Sequence, residues 1–577
     1  MRIEFLVFAA AFRCRISRLE RAGHIGRKAV EFDQPEDNNS PMMKNEKRNH
    51  LASWGFLIAC ILAPLVRAEG AQSRVDQFQG ADAGAKIAAC IAALPASGGT
   101  CDATMLTGPQ NIGQLRIAHS KVQVLLGTGT YKVAEGIDIE ADGVVIQGIS
   151  GTIIQKTGKG FAILLSGAGH VISRTTLDHL HLVGDPSTFN GGIGVAIHPG
   201  CGADFVTIEN VVVDSFGQYG IIVSGKVNDL TVRNVRAVNH GSPDAAWPMI
   251  GIAIDPKTHS ERLVMDNVFS EIGHSNGKAS AAIKVQNFRT ATVTNLTAVG
   301  GTEETVSVAG IGDLTASNWT IRGGAPGNQG FGLMLSTESN NGDPTVLATG
   351  PRQWNFDHIS FEGTFHPNFA IVFGRPGNKN VKLSYISARG LECVMTQNGW
   401  AQDIKVENSE FGQFNMSRYP GTLFHNSVLN NVTIDSGPLI LPGNRNLVSS
   451  AIVRGGTIAL IGSNNVLRFS TSSGSNGNGI TLGGDMNVVY HCNVTGQRAS
   501  AIAVNRGSGN LVHGSTFSGG VIDQGAKTML PGRDGGLVHA GSGPPSGSCA
   551  SGAVYVRTDG APDSTLYVCD SGSWSAK

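Results

Sequence analysis

Through the middle of the chain, apolar and polar side chains alternate in short bursts that break at a turn, most often at Asn and then at Gly. Examples are VTIENVVVDSFG (206–217), LTVRNVRAVNHG (230–241), LVMDNVFSEIG (263–273), ATVTNLTAVGG (291–301), DIKVENSEFG (403–412), NVVYHCNVTG (487–496) and NLVHGSTFSGG (510–520). Within each burst the apolar residues stand two apart, as Val206 and Ile208 or Val211 and Val213 do. That period belongs to a strand with one buried side, and no burst shows the 3.6-residue spacing of a helix.

The position equivalent to Asn210 can be followed at Gly148, His179, Asn210, Asn234, Asn267, Asn295, Asn318, His358, Tyr385, Asn408, Asn431, Ser450, Phe469, His491 and Gly514. Most intervals are near 23 residues, and the longest separates Asn318 from His358. Such a unit is too short for a propeller blade and lacks the leucine frame of leucine-rich repeats. Three short strands per unit, stacked in parallel at about 4.8 Å, would build a rod of roughly 70 Å. Asn suits the recurrent slot because it tolerates a left-handed backbone, and stacked amides can bond from coil to coil. A helix is expected over 82–94: Asp82 can cap its start, Ile87, Cys90 or Ile91 and Leu94 share a face, and Pro95 with Gly98 and Gly99 ends it. It would plug the open end of the rod, where unpaired strand edges invite aggregation.

The repeat, its asparagine slot and the N-terminal stretch together carry a resemblance. That stretch reads Gly80 to Ile91, then Ser97-Gly98-Gly99-Thr100, then Val124 to Tyr131 with Gly129-Thr130-Tyr131, then Val144 to Gly148. Over about residues 76–523 the chain resembles the right-handed parallel β-helix proteins of the pectate-lyase-like superfamily (the pectin lyase fold), in their secreted bacterial form. The resemblance implies an all-β fold, a right-handed parallel β-helix of about fifteen coils with an N-terminal capping helix. It also implies work on polysaccharides without fixing the reaction, because lyases, hydrolases, epimerases and adhesins share that fold.

The ends of the chain read differently. Residues 1–42 are polar and patternless, and are expected to be an extension from a start placed too early. From Met43 a basic stretch with Lys47 and Arg48 leads into the 13-residue apolar run Trp54–Val66, followed by Val66-Arg67-Ala68. This is the pattern of a secretory signal peptide over 43–68; the run is short of the roughly 20 residues that span a bilayer. A lipoprotein box at Leu57–Cys60 is the weaker reading, because the apolar run continues past Cys60. Residues 69–130 are then a cap with the first strands, 131–525 the β-helix, 526–548 a linker, and 549–577 a small β-hairpin module closed by a disulfide. Export permits disulfides, and the expected pairs are Cys90 with Cys101 and Cys549 with Cys569. Cys201, Cys393 and Cys492 read as buried small hydrophobes. After cleavage no membrane-spanning segment is expected, which points to a secreted, cell-surface or periplasmic protein.

Composition narrows the rest. Seventy-seven glycines among 577 residues fit frequent turns, and 41% apolar against 15% charged residues allows a sizeable core. Lys+Arg and Asp+Glu are equal at 44, so no basic field exists to hold a nucleic acid.

Function on such a rod must sit outside, where long turns wall a strand face. The long intervals after Asn234 and Asn267 enclose a dense set of polar residues, and the expected cleft lies over 210–290. Asp214, Asp255 and Glu271 come from successive coils and suit a glycosidase, which needs two carboxyls about 5–9.5 Å apart. His240, His274 and Lys284 suit removal of a proton beside a uronate carboxylate, with calcium a possible cofactor of a lyase. Trp247, Asp244, His259 and Lys278 suit sugar binding. Against this, a carboxylate on an exposed strand is more often a solvated surface group, and a His in a Gly-rich turn is more often a turn residue. The Asn-Thr-Asp, Asp-Asp, Gly-His-Gly and Arg-Ile-Lys strings of polygalacturonase-like hydrolases are absent, as is the acidic cluster of calcium-dependent pectate lyases. The expectation is a secreted protein that cleaves a polysaccharide, by lysis or hydrolysis; the alternatives are a non-catalytic adhesin or a polymer-level epimerase. The fold leaves a homotrimer open.

Overall fold

The computed structural model describes residues 71–577 except 185–191, 199–201, 241–248, 253–259, 274–278, 337–352, 375–376, 527, 530–537, 542, 548, 550–553, 558, 560–565 and 577. The expected signal peptide and Cys201 therefore lie outside the described residues.

The chain is a parallel β-helix with three strand faces. One inward column shows why. Cys101, Val124, Ile146, Leu177, Ile208, Val232, Met265, Val293, Ala316, Phe356, Leu383, Val406, Leu429, Val448, Leu467, Val489 and Val512 are successive partners in parallel register. Each is buried. A single strand of this kind could not hide its apolar side, but the next coil covers it, at roughly 1.5–3 kcal/mol for each large side chain.

The recurrent slot is the corner between the first and second faces. His179, Asn210, Asn234, Asn267, Asn295, Asn318, His358, Tyr385, Asn408, Asn431, Ser450, Phe469, His491 and Gly514 all have φ between 48° and 58°. Gly148 holds its place for another reason: a Cβ there would stand 2.3 Å from the His179 carbonyl oxygen. The amides bond along the stack, Asn234 to Asn210 at 3.0 Å, Asn267 to Asn234 at 2.9 Å, Asn318 to Asn295 at 3.2 Å and Asn431 to Asn408 at 2.8 Å. Between Asn267 and Asn295 the chain of amides breaks, and Asn295 donates to Asp266 instead, at 2.8 Å.

A second ladder lies inside the fold. The backbone N–H groups of Ser427, Asn446, Asn465 and Asn487 donate to the side-chain oxygens of Asn446, Asn465, Asn487 and Asn510 at 2.9–3.1 Å. These amides satisfy backbone donors that a buried turn would otherwise leave unpaired.

The helix occupies Ala83–Ala93 with Asp82 as its N-cap. The Asp82 carboxylate accepts from Ala85 N–H at 2.7 Å and from Gly113 N–H at 3.1 Å, tying the cap to strand Gln110–Ile117. Cys90 is bonded to Cys101 and Cys549 to Cys569. Cys393 and Cys492 are buried free thiols. At the C-terminus Val554–Arg557, Leu566–Asp570 and Ser573–Ala576 are antiparallel neighbours. Strand Val538–Gly541, in the stretch read as linker, adds to them in parallel. Among the described residues no helix is long and apolar enough to cross a membrane.

Candidate functional site

Outward residues of a solvated strand should be polar, yet the third face breaks this rule. Strands Gln329–Ser336, Phe369–Phe373 and the end of Val381–Met395 are apolar on both sides. Lys284, Ser307, Met334, Val372 and Val394 form one outward column in register. Beside it, Glu304 pairs with Phe331, and Phe369 with Glu392. Apart from Ser307 and Glu392, these side chains, together with Glu303, Pro367, Thr396, Gln397 and Tyr419, line a groove of about 520 Å³. Its floor is the cluster of Phe369, Val372 and Val394 with Phe331 packed against it.

Charge is concentrated at one end. Lys284 Nζ lies 3.1 Å from Glu304 Oε1 and 3.7 Å from Glu303 Oε2. A break in register between Gly301 and Glu304 accompanies this convergence of two consecutive side chains on one lysine. Both carboxylates thus meet one ammonium group, with their nearer oxygens at most about 7 Å apart. The environments differ sharply: the side chain of Glu303 is 65% exposed and that of Glu304 only 6%. Burial raises the Glu304 carboxyl above its ordinary pKa, and Lys284 offsets part of that effect. At the other end Arg418 bonds to Glu392 and stacks over Phe369, its Cζ 5.0 Å from the ring centre.

Of the described residues singled out from sequence, only Lys284 lines this groove. Asp214 and Glu271 do share one column on the second face, with Val238 between them. There Asp214 accepts from Ser215 Oγ at 2.7 Å and Asn239 Nδ2 at 3.0 Å. His240 is a core residue: it stacks on Phe216, its Nε2 is 3.1 Å from the Val213 carbonyl oxygen, and it is 2% exposed. Burial lowers its pKa to about 4, so it is neutral and enclosed at pH 7. Facing inward, it has no path to a polymer in a groove. Asp244, Trp247, Asp255, His259, His274 and Lys278 lie outside the described residues. Among the described residues no group of three or more His, Cys, Asp or Glu could hold a metal ion.

Density of charge along the sequence does not mark this groove; a break in alternation does. Strand Phe369–Phe373, FAIVF, carries the missed signal: a strand with no polar side must be covered, or must bind something, on both faces.

No family model matches the chain, and no curated protein matches it. Solved structures do. The A-module of a mannuronan C-5 epimerase from Azotobacter vinelandii is 12% identical, with a TM-score of 0.27 over 80% of this chain and 98% of its own. A surface adhesin of Streptococcus pneumoniae is 11% identical, with a TM-score of 0.36 over 88% of this chain and 98% of its own. The catalytic unit of an α-1,3-glucanase from Streptomyces thermodiastaticus is 13% identical, with a TM-score of 0.25 over 80% of this chain and 71% of its own. At these values the likeness says nothing about the activity of this chain, and the β-helix rests on its own register and corners.

Proposed function

We propose that this chain is a secreted polysaccharide-active protein whose groove over residues 284–419 holds a glycan, and that it hydrolyses the chain there. The observation that carries the reading is the unequal carboxyl pair: Glu304, buried and shifted toward its protonated form, beside exposed Glu303, both on Lys284. Two titratable groups held in contrasting environments suit an acid and a base. Glu304 would give its proton to the oxygen of the departing sugar as the glycosidic C–O bond breaks, and Glu303 would take the proton of the water that forms the new bond to the anomeric carbon. Lys284 keeps both carboxyls in place. Phe331 and Phe369 offer flat apolar surface to the C–H faces of sugar rings, and the bridged cysteines suit export to an oxidising compartment.

The test is activity on a polysaccharide panel, reading reducing ends and absorbance at 235 nm together. New reducing ends without absorbance, lost by a factor of 10² or more in Glu304→Gln, support hydrolysis. Absorbance that rises with reducing ends makes the protein a lyase. Silence in both channels, with retention of the protein on a glycan gel that Phe369→Ala abolishes, makes the groove a binding surface only. The apolar floor and the closed charge pairs favour that second reading over the epimerase.

A further inference from the structure

The inward column from Cys101 to Val512 belongs to the first face, and the outward side of that face carries a feature that the groove does not use. Val428, Leu447, Val466, Val488, Leu511 and Met529 are successive outward partners in register. The first five are half-buried and Met529 is 49% exposed. Each of the five is followed at once by a fully buried inward residue, Leu429, Val448, Leu467, Val489 or Val512. Alternation therefore fails in five consecutive coils, at positions where a solvated face calls for a polar side chain. Strand propensity does not account for this. In the N-terminal coils the same column carries Thr176, Thr207, Thr231, Thr292 and Thr315, with Val145 and Val264 among them. Thr has the branched shape of Val together with a hydroxyl for water, and neither Leu447 nor Leu511 is β-branched. Met486, 58% exposed at the adjoining corner, widens the apolar stripe.

We infer that this stripe docks a second copy of the chain, side by side and antiparallel. Spacing is the first reason for that occupant. The stripe is a ladder with rungs about 4.8 Å apart, about 24 Å from first to last, and a second copy presents a ladder of the same pitch that meets it along its whole length. Charge is the second reason, and it sets the direction. The next two members of the column toward the N-terminus are Lys405 and Lys382, both held by Glu407. Rods laid parallel, as a cyclic trimer would lay them, bring these lysines onto their own equivalents, a like-charge contact that opposes association. Antiparallel rods carry the lysines past Met529 of the other copy. They also set Leu447 against Leu511 and Val466 against Val488, so the stripe is covered from end to end. A patch about 24 Å by about 14 Å is under half of the roughly 800 Å² per partner that a standard interface buries, which places the pairing in the micromolar range. The groove is on the third face and stays open in such a pair.

The deciding experiment is sedimentation velocity of the full protein from about 1 to about 100 µM, a range that brackets micromolar association. The expected result is a shift from the mass of one chain to that of two. Val466→Thr with Val488→Thr installs the residue that the N-terminal coils use in this column, which keeps the strands while making the centre of the stripe polar. It should weaken pairing at least tenfold, with a melting temperature below the association range that matches the parent and shows the rod still folded. Leu447→Lys and Leu511→Glu should each abolish pairing, and the two together in one chain should restore it, because antiparallel rods bring each new charge against its opposite. A single-chain mass up to the highest concentration, the mass of three chains, unchanged pairing in the Thr variant, or no recovery in the combined charge variant overturns the proposal. None of these outcomes bears on hydrolysis at Glu304, which the polysaccharide panel tests separately.

Discussion

Lys284 Nζ reaches Glu304 Oε1 at 3.1 Å from the preceding coil, and this contact keeps a nearly enclosed carboxyl compatible with a folded groove. Lys284 is 20% exposed at its side chain and Glu304 6%. Breaking the pair by removing the lysine leaves the carboxyl without its partner, which is worse than replacing the carboxyl by a neutral amide. Lys284→Met is therefore expected to lower the unfolding midpoint more than Glu304→Gln does, in parallel denaturant titrations at pH 7.

Glu304 also gives stability a pH dependence of definite sign. Its folded pKa is raised by burial, so the folded state binds a proton more tightly than the unfolded one. Its contribution is favourable below the folded pKa and is lost as pH rises from the ordinary value of 4.5 through the raised one. The melting temperature of Glu304→Gln should accordingly fall less between pH 5 and pH 8 than that of the parent. Parallel curves for the two proteins would remove Glu304 as the source.

His240 acts on the acid side. Enclosed and lowered from 6.5 to about 4, it stays neutral while the unfolded chain takes up a proton. Stability is lost as pH falls from about 6.5 to about 4, by up to about 3 kcal/mol at roughly 1.4 kcal/mol per unit. His240→Phe keeps a ring against Phe216 and removes the titration. It should melt lower at pH 7, where the bond to the Val213 carbonyl is lost, and show a smaller drop on acidification to pH 4.5.

The corner ladder separates conformational from hydrogen-bonding effects. Asn234 donates to Asn210 and accepts from Asn267 in a left-handed backbone. Asn234→Gly keeps the backbone and loses the bonds; Asn234→Ala loses both and adds about 1–2 kcal/mol of conformational cost. Denaturant unfolding should rank the parent above the Gly variant and the Gly variant above the Ala variant. Equal midpoints for the two variants would show that the backbone conformation contributes nothing measurable.

The Cys90–Cys101 bond closes a short loop that joins the cap helix to strand Gly99–Ala103. Restricting the unfolded chain in this way is worth about 2–3 kcal/mol. Cys90→Ala with Cys101→Ala should raise hydrogen exchange in Ala83–Ala93 and strand Gln110–Ile117 ahead of the distant coils, because each coil depends on its neighbours.

Local pattern determined the coil. Alternation, recurrent Asn and the spacing between slots located fourteen left-handed corners, from His179 to Gly514, residue by residue. It did so because each coil is a local object whose buried side is set by a period of two and whose corner needs particular backbone angles. The capping helix was legible for the same reason: Asp82 and Pro95 bracket it in sequence. What sequence did not determine was how outward residues from separate coils combine. Lys284 and Glu304 are twenty positions apart, and Phe331 and Phe369 nearly forty, yet stacking makes them neighbours in one groove. His240 looked like an exposed base within a polar stretch, and only the tertiary structure turned its ring inward onto Phe216. The register between coils, fixed by turns of unequal length, decides which side chains meet, and no property of a single strand encodes it.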